Sequence, residues 1–328
     1  MLNIVEVDAL EVLVLVDNVT DSLSSNPKDV LPEWSVLLTG GRLRVLAGSN
    51  TCCAHHGLSL LLTAHVGSKK RTLLFDAGPA AATFQRNCEI LGVDFESVEA
   101  VVLSHGHWDH AGGLPEAIRL VTSANGGKPV PCHVNEGMFA ARAMRLPNGK
   151  LTPFEDVMKP DQLAKRGASV VNSPDARLIM EQMFYVSGEI PRVTPYERGL
   201  PMQVRMAQDG VTWEPDPLLL DERYVAAHVK GKGAVVFTAC SHAGVINVLK
   251  DARNVFGDVP LYAVMGGFHL SGAEVEPIIP DTIRDFGDFA LKRIVPCHCT
   301  GWRALHALAS VYKEDVLMPA AVGRQFTF

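Results

Sequence analysis

The sequence lacks any apolar run approaching the roughly 18 residues needed to cross a bilayer. Its first apolar stretch, residues 5–16, carries Glu6, Asp8 and Glu11 with no basic segment ahead of it. Neither a membrane span nor a secretory leader is expected from that pattern. Concentrated positive charge is missing as well: 30 Lys and Arg face 36 Asp and Glu, the formal net charge is −6, and the one short basic run, Lys69-Lys70-Arg71, is read as capping a turn. Neutralising the phosphates of a nucleic acid needs denser Lys and Arg, so nucleic acid is not an expected partner. The seven cysteines form no CxxC pair and are odd in number, which argues against a disulfide framework or a zinc ribbon and suits a reduced cytoplasm. Also absent are a GxSxG nucleophile elbow, a phosphate loop ending in GK[ST], an HExxH pair and a glycine-rich dinucleotide fingerprint behind a strand. Serine hydrolase, kinase and dehydrogenase chemistry lose their usual supports with them.

What remains is ordinary globular material. The 328 residues are 47% hydrophobic and 20% charged, enough for a well-buried core in about two domains or one large α/β unit. Short apolar runs alternate with amphipathic ones. The spacing predicts strands at 11–16, 58–64, 72–75, 100–103, 234–239, 261–265 and 293–295, and helices at 80–91 (closed by Gly92), 245–253 and 280–291. Between 148 and 221 prolines are frequent and apolar runs short, which reads as an inserted lobe or lid within a single domain spanning 1–328. Strand, polar tip and helix recur in both halves. The expected fold class is therefore α/β, an αββα sandwich with its functional loops gathered along one edge.

The polar tips carry the chemistry. Behind the strand at 100–103 comes Ser104-His105-Gly106-His107-Trp108-Asp109-His110. In extended backbone positions i and i+2 share a face, so His105 and His107 can address one point while the following turn swings Asp109 and His110 toward a neighbouring one. Three imidazoles and a carboxylate in six residues suit zinc better than calcium or magnesium, which prefer all-oxygen shells. One loop cannot complete two coordination shells, so further ligands are sought at other strand ends. His242 and His298 follow apolar strands and are expected to ligate. His269 has the same placement and is left open between ligand, outer-shell group and substrate contact. Asp76 would either ligate or accept the second N–H of a ligating imidazole and fix its tautomer. Cys240, Cys297 and Cys299 flank these histidines as thiols able to bind zinc or simply to pack. His56 and His133 are the more plausible pocket residues among the remaining histidines.

The segment SHGHWDHAGGL, Ser104 to Leu114, resembles the metallo-β-lactamase superfamily, whose hallmark is HxHxDH after a strand of an αββα sandwich. Nearly the whole chain further resembles one branch, that of the archaeal 7,8-dihydropterin-6-methyl-4-(β-D-ribofuranosyl)aminobenzene-5'-phosphate synthases and bacterial relatives of unassigned role. The residues carrying this are Val16-Asp17-Asn18, His56-Gly57-Leu58-Ser59, Leu74-Phe75-Asp76-Ala77-Gly78, Gly188-Glu189-Ile190-Pro191-Arg192, Ala239-Cys240-Ser241-His242-Ala243-Gly244, Gly266-Gly267-Phe268-His269-Leu270 and Pro296-Cys297-His298-Cys299-Thr300-Gly301. The resemblance implies metal positions at His105, His107, Asp109, His110 and His298, with His242 in the branch's own Cys-Ser-His motif. Two departures stand out. Cys240-Ser241 occupies a place where many members carry a metal-bridging Asp, and His55 replaces the branch's usual acid before the His-Gly pair.

The implied activity is that of a zinc-dependent hydrolase acting through a metal-bound hydroxide on a small anionic or heteroaromatic substrate, dihydropterin-related in the branch. The cofactor is Zn2+, one or two ions, with Mn2+, Fe2+ or Mg2+ as alternatives. Asp109 and Asp76 are the expected catalytic carboxylates; Arg192, His269, His56 and Cys240 are the expected substrate or outer-shell residues. A competing reading keeps fold and metal but makes the protein a sensor with little turnover, and a nuclease of the same superfamily is disfavoured by the weak basic character. A small-molecule substrate is the expected partner, in the cytoplasm, away from membranes, with a homo-oligomer left open.

Overall fold

Period-two alternation along the strands decides the layering. In Lys69–Phe75 the side chains of Leu73 and Phe75 face one layer and Leu74 the other; in Gly233–Thr238, Val235 and Phe237 face inward and Ala234 and Val236 outward. A strand buried on both faces must be covered by a sheet on one side and helices on the other. A computed structural model, which describes residues 3–43 and 45–328, shows that arrangement. One sheet runs, in spatial order, Ala168–Asn172, Val130–Val134, Val98–Val102, Lys69–Phe75, Ser59–Val66, Ala9–Val16, Gln325–Thr327 and Val30–Leu31. The facing sheet runs Arg177–Ile179, Phe184–Val186, Val225–Val229, Gly233–Thr238, Leu261–Gly267 and Arg293–Cys297, with Glu6–Val7 alongside Val225–Val229.

Between the sheets lies a core that includes Leu60, Phe75, Val102, Phe237, Met265 and Val295. Each such side chain contributes about 1.5–3 kcal/mol on burial. Helices Ala81–Leu91 and Leu114–Ala124 cover the outside of the first sheet, and Val245–Phe256, Ile279–Phe286 and Trp302–Ala309 the outside of the second. The expected αββα sandwich is thus the observed one. Gly92 closes its helix in a left-handed conformation, φ 72°, with its N–H on the Cys88 carbonyl.

Two expectations change in detail. Lys69-Lys70-Arg71 does not cap the turn but begins the strand after it, where Lys69 and Arg71 pair with Glu181. The stretch 148–221 divides. Ala168–Asn172 extends the first sheet and Arg177–Ile179 and Phe184–Val186 the second, while Leu151–Pro153, Gln203–Met206 and Trp213–Pro215 join Arg142–Arg145 in a separate four-stranded sheet.

Strands Lys69–Phe75 and Val98–Val102 run parallel, as do Gly233–Thr238, Leu261–Gly267 and Arg293–Cys297, so their carboxyl ends share an edge. At those ends Asp76 (φ 59°), Ser241 (58°), His269 (46°) and His298 (46°) all sit in the left-handed region. Non-glycine residues cost energy there and persist only when surrounding bonds hold them, a situation typical of functional sites.

Candidate metal centre

The loop after Val98–Val102 is shaped by its neighbours. The Gly106 N–H donates to Asp221 Oδ2 at 2.9 Å and its carbonyl accepts from Arg142 Nη1 at 3.2 Å. A Cβ at position 106 would lie 2.2 Å from the Met138 carbonyl oxygen, so only glycine lets the two flanking imidazoles turn inward together. Asp109 and His110 follow on the short helix Trp108–Ala111. His242 is presented by a turn whose backbone N–H groups at His242 and Ala243 donate to the buried carboxylate of Glu222. The backbone N–H of His298 donates to Asp17 Oδ1 at 2.7 Å.

These segments bring the rings together. His105 lies 4.6 Å from His107, 4.4 Å from His110 and 4.9 Å from His242, centroid to centroid, and His107 is 4.8 Å from His242 and His110 5.0 Å from His298. Two sets of ligating atoms lie within 4.8 Å of one another: Asp109, His110, Cys240 and His298 in one, His105, Cys240 and His242 in the other. Asp109 Oδ2 is 3.2 Å from His298 Nε2 and 3.7 Å from His110 Nε2. The expected metal residues His105, His107, Asp109, His110, His242 and His298 therefore all meet at one place.

Outer partners set the tautomers. Ser104 Oγ donates to Asp76 Oδ2 and so accepts from His105 Nδ1 at 2.8 Å, leaving His105 Nε2 as a lone pair with no protein partner. His110 Nδ1 meets Asp76 Oδ2 at 2.7 Å, turning its Nε2 toward the cluster. Gln203 directs both amide hydrogens to Asp216 and so offers Oε1 to His107 Nε2 at 2.6 Å. Asn18 Oδ1 accepts from His298 Nδ1 at 2.9 Å, and His298 Nε2 is left without a partner. His242 is buried with neither ring nitrogen bonded. Buried lone pairs without donors cost free energy unless something fills them, and a divalent cation is the group that ligates several neutral imidazoles at once. The residues present fit such an ion.

Burial and neighbouring charge set the protonation of the cluster. Burial pushes the His105 and His242 imidazoles well below their ordinary range and His107 down to about 4, so all three are neutral donors at physiological pH. His110 moves the other way, to about 9, because Asp109 and Asp76 outweigh its burial. Burial works against the charged form of Asp109, yet His110, His298 and His107 hold that carboxyl below the usual range, so it is ionised.

Other expected residues fall into place or out of it. Asp76 is fully buried with both oxygens engaged, Oδ1 by the Ser104 N–H and Oδ2 by Ser104 and His110, so it orients His110 and meets no substrate. That corrects its reading as a catalytic carboxylate. Arg192 is a correction too. Its guanidinium clamps the carbonyls of Ile190, Leu218 and Leu219 and does not line the cavity beside the cluster. His269 stands 4.3 Å from His242 with both nitrogens unbonded, grouped with Cys240 and Cys299. His56 Nε2 lies 3.4 Å from Asp109 Oδ2 at the cavity mouth, whereas His55 bonds Thr83 outside it. Cys240 Sγ is buried 3.2 Å from His110 Nε2. His133 is about 30 residues from the loop in sequence, in Val130–Val134, and does not line that cavity.

The cluster opens into a cavity of about 440 Å³ walled by Trp108, Met144, Phe154 and Leu200, with His56 and His269 at its polar points. A second cavity of about 320 Å³, lined by Tyr196, Arg198, Phe268 and Leu270, adjoins it through His242 and His269.

Residues 56–124 match the model of the family described as the metallo-beta-lactamase superfamily. The chain is 28% identical over 265 residues, 80% of its length and 86% of the relative's, to 7,8-dihydropterin-6-methyl-4-(beta-D-ribofuranosyl)-aminobenzene-5'-phosphate synthase of Methanocaldococcus jannaschii. In these features the chain resembles the metallo-β-lactamase superfamily. An uncharacterised protein of the same archaeon is also 28% identical, over 79% of this chain and 89% of its own. Among solved structures, that of Tm1679, a metal-dependent hydrolase of the β-lactamase superfamily, superposes with a TM-score of 0.68 at 21% identity, covering 97% of this chain and 98% of that one. The metallo-β-lactamase fold protein YhfI from Bacillus subtilis gives 0.51 at 12% identity over 98% and 100%. These likenesses establish the metallo-β-lactamase fold.

Sequence reasoning missed Gln203, Ser104 and the buried Arg142, whose guanidinium bonds Asp216 and Asp221 and so ties Gln203 and the Gly106 loop to one support. It also missed the apolar walls Met144, Phe154 and Leu200. Ser104 heads the histidine loop itself, whereas Gln203, Arg142 and the apolar walls lie in the proline-rich stretch or just before it, and only the tertiary fold brings them to the loop.

Proposed function

We propose that the protein is a metal-dependent hydrolase that acts on a small anionic or heteroaromatic molecule. One observation carries this reading. Five imidazoles and an ionised carboxylate converge, and four of the rings have their outer nitrogen engaged by a protein acceptor so that the other nitrogen is left for the cluster. His105, His107 and His242 would hold one divalent cation and Asp109, His110 and His298 a second. Zinc suits this donor set best, with iron(II) and manganese as alternatives. When bound, such an ion supplies positive charge for a developing oxyanion and a water ionised near neutral pH.

The chain's own residues do the rest. Ser104, Gln203 and Asn18 keep His105, His107 and His298 each in one tautomer and Asp76 orients His110, so little reorganisation of these rings accompanies the reaction. Asp109, ionised and facing the cavity, would help to hold the cation and orient a water for attack. Trp108 and Phe154 offer flat apolar faces for a ring system and exclude solvent, while His56 and His269 are placed to hydrogen-bond its polar substituents. The name of the archaeal relative supports a dihydropterin-related substrate. Seven cysteines standing as free thiols support a reducing compartment such as the cytoplasm.

The test is elemental analysis followed by turnover measurements on esters, lactones, phosphodiesters, thioesters and reduced pterins. Metal together with turnover on one class supports the hydrolase; metal without turnover on any class replaces it with a sensor. The substitution His107→Ala is expected to lower metal content and abolish activity with an unchanged circular dichroism spectrum. Undiminished metal stoichiometry in that variant contradicts the reading.

A further inference from the structure

The separate four-stranded sheet does two things with one face. In its register Gln203 stands opposite Met144 and Met144 opposite Thr152, and the Phe154 N–H donates to the Arg142 carbonyl at 2.8 Å, which carries the pairing on to Phe154 opposite Arg142. Residues directly opposite in a sheet, and residues two apart along a strand, project from the same side. Arg142, Met144, Phe154 and Gln203 therefore share a face. Met144 and Phe154 wall the cavity beside the histidine cluster, the Phe154 ring standing edge-on to that of His107 at 5.3 Å, while Gln203 Oε1 reaches His107 Nε2.

Arg142 ties these parts together. It is 3% exposed, and every nitrogen of its planar guanidinium is bonded: Nε donates to Asp216 Oδ2 at 2.9 Å, Nη1 to the Gly106 carbonyl at 3.2 Å, and Nη2 to Asp221 Oδ1 and the Gly137 carbonyl. Asp216 Oδ2 also accepts from Gln203 Nε2 at 3.2 Å, and Asp221 Oδ2 from the Gly106 N–H at 2.9 Å. One side chain thus grips both the residue before His107 and the residue that meets its ring. A lysine ammonium, a single point charge, cannot hold two carboxylates and the Gly106 carbonyl in one plane.

We propose that Arg142 is a positioning residue through which the small sheet and a cation at His107 stabilise one another. This rests on the metal centre proposed above and adds its regulation. A cation on His107 fixes the ring and, through Gln203, Asp216 and Arg142, the seating of the sheet over the cavity. Coupling of this kind is reciprocal. Whatever holds the sheet in place, an apolar ring packed on Met144 and Phe154 included, raises the affinity for the cation. The cavity is therefore completed when the metal is bound, and the metal is held most firmly when the cavity is filled.

Hydrogen–deuterium exchange of the full chain, with and without zinc, tests this. In the wild type zinc is expected to slow exchange of the amides of Arg142–Arg145 and Gln203–Met206 by at least about 5-fold, the lower end of coupling between sites. Arg142→Lys and Gln203→Leu, each at saturating zinc, should lose that protection. Their effects on zinc affinity should also fail to multiply: the double variant should lose less than the product of the two separate losses, because both cut one path, whereas an arginine that merely supports the fold gives the full product. Should Arg142→Lys not fold, Asp216→Ala, which removes the oxygen that Arg142 and Gln203 share, takes its place in both measurements. Zinc bound by the wild type with no change in the exchange of the sheet overturns the coupling and leaves the metal centre standing. Protection that survives Arg142→Lys, or losses that multiply in full, overturns the role of Arg142. A wild-type chain that binds no zinc overturns the metal centre itself, and the proposal with it.

Discussion

At the scale of single residues, the metal centre is a matter of which ring nitrogen carries a hydrogen. Gln203 shows this most clearly. Fully buried, it spends both amide hydrogens on Asp216 and turns its oxygen to His107 Nε2, which forces the other ring nitrogen of His107 to be the free lone pair. Gln203→Leu removes the acceptor and should weaken zinc binding about 10-fold to 100-fold, and Gln203→Glu, which keeps an acceptor there, should recover part of it. Competition with a chromophoric chelator measures both; equal affinities for wild type and Gln203→Leu would show that His107 needs no outer partner. The contrast with the ligands explains what was legible. His105, His107, Asp109 and His110 announce themselves because six consecutive residues hold them, whereas Gln203 lies 96 residues from His107 and enters only through the strand pairing of Gln203–Met206 with Arg142–Arg145.

At the scale of elements, the helix Val245–Phe256 illustrates how the edge of the sandwich is secured. Its first turn has no local cap. The buried carboxylate of Glu197 reaches in from the preceding stretch and accepts from the N–H groups of Ile246 and Asn247, both at 2.9 Å, and from Thr194 Oγ1 at 2.8 Å. Gly244 (φ 93°) is required beside it, because a Cβ there would lie 2.1 Å from the Glu197 carboxyl carbon. Burial pushes the Glu197 carboxyl up to about 7 from 4.5, against the lowering effect of those hydrogen bonds. A raised carboxyl favours the folded protein while it is protonated, so its contribution is full below pH 4.5 and is lost as pH rises to about 7. Glu197→Gln does not titrate. The stability of the wild type relative to that variant should therefore fall, by on the order of 3 kcal/mol, between pH 4.5 and pH 8, as read from denaturant unfolding at each pH. A difference that stays constant with pH would show that Glu197 is ionised throughout. The helix itself was legible from its apolar spacing, and its expected start at 245 is the observed one. Its cap was not, since a carboxylate 49 residues upstream of Ile246 leaves no mark on the helix sequence.

At the scale of the molecule, the sandwich exists to bring distant strand ends to one edge. Two parallel groups of strands deliver Asp76, the His105 loop, Cys240 with His242, His269 and His298 to the same rim, and the left-handed residues there turn the chain sharply enough for side chains to face each other. The αββα layering could be read from the sequence because period-two alternation and strand-tip polarity recur in both halves. The distribution of residues 148–221 could not, because strands of three to five residues among prolines carry too little periodicity to say which sheet they join. The claim on which the rest depends is that imidazoles from segments more than a hundred residues apart share cations at that rim. Anomalous scattering at the zinc edge, from crystals of the full chain grown with zinc, measures this directly. The account predicts density at coordination distance, about 2.0–2.2 Å, from His105, His107 and His242 on one side and from Asp109, His110 and His298 on the other. Zinc bound elsewhere on the molecule, with these side chains left uncoordinated, would contradict it.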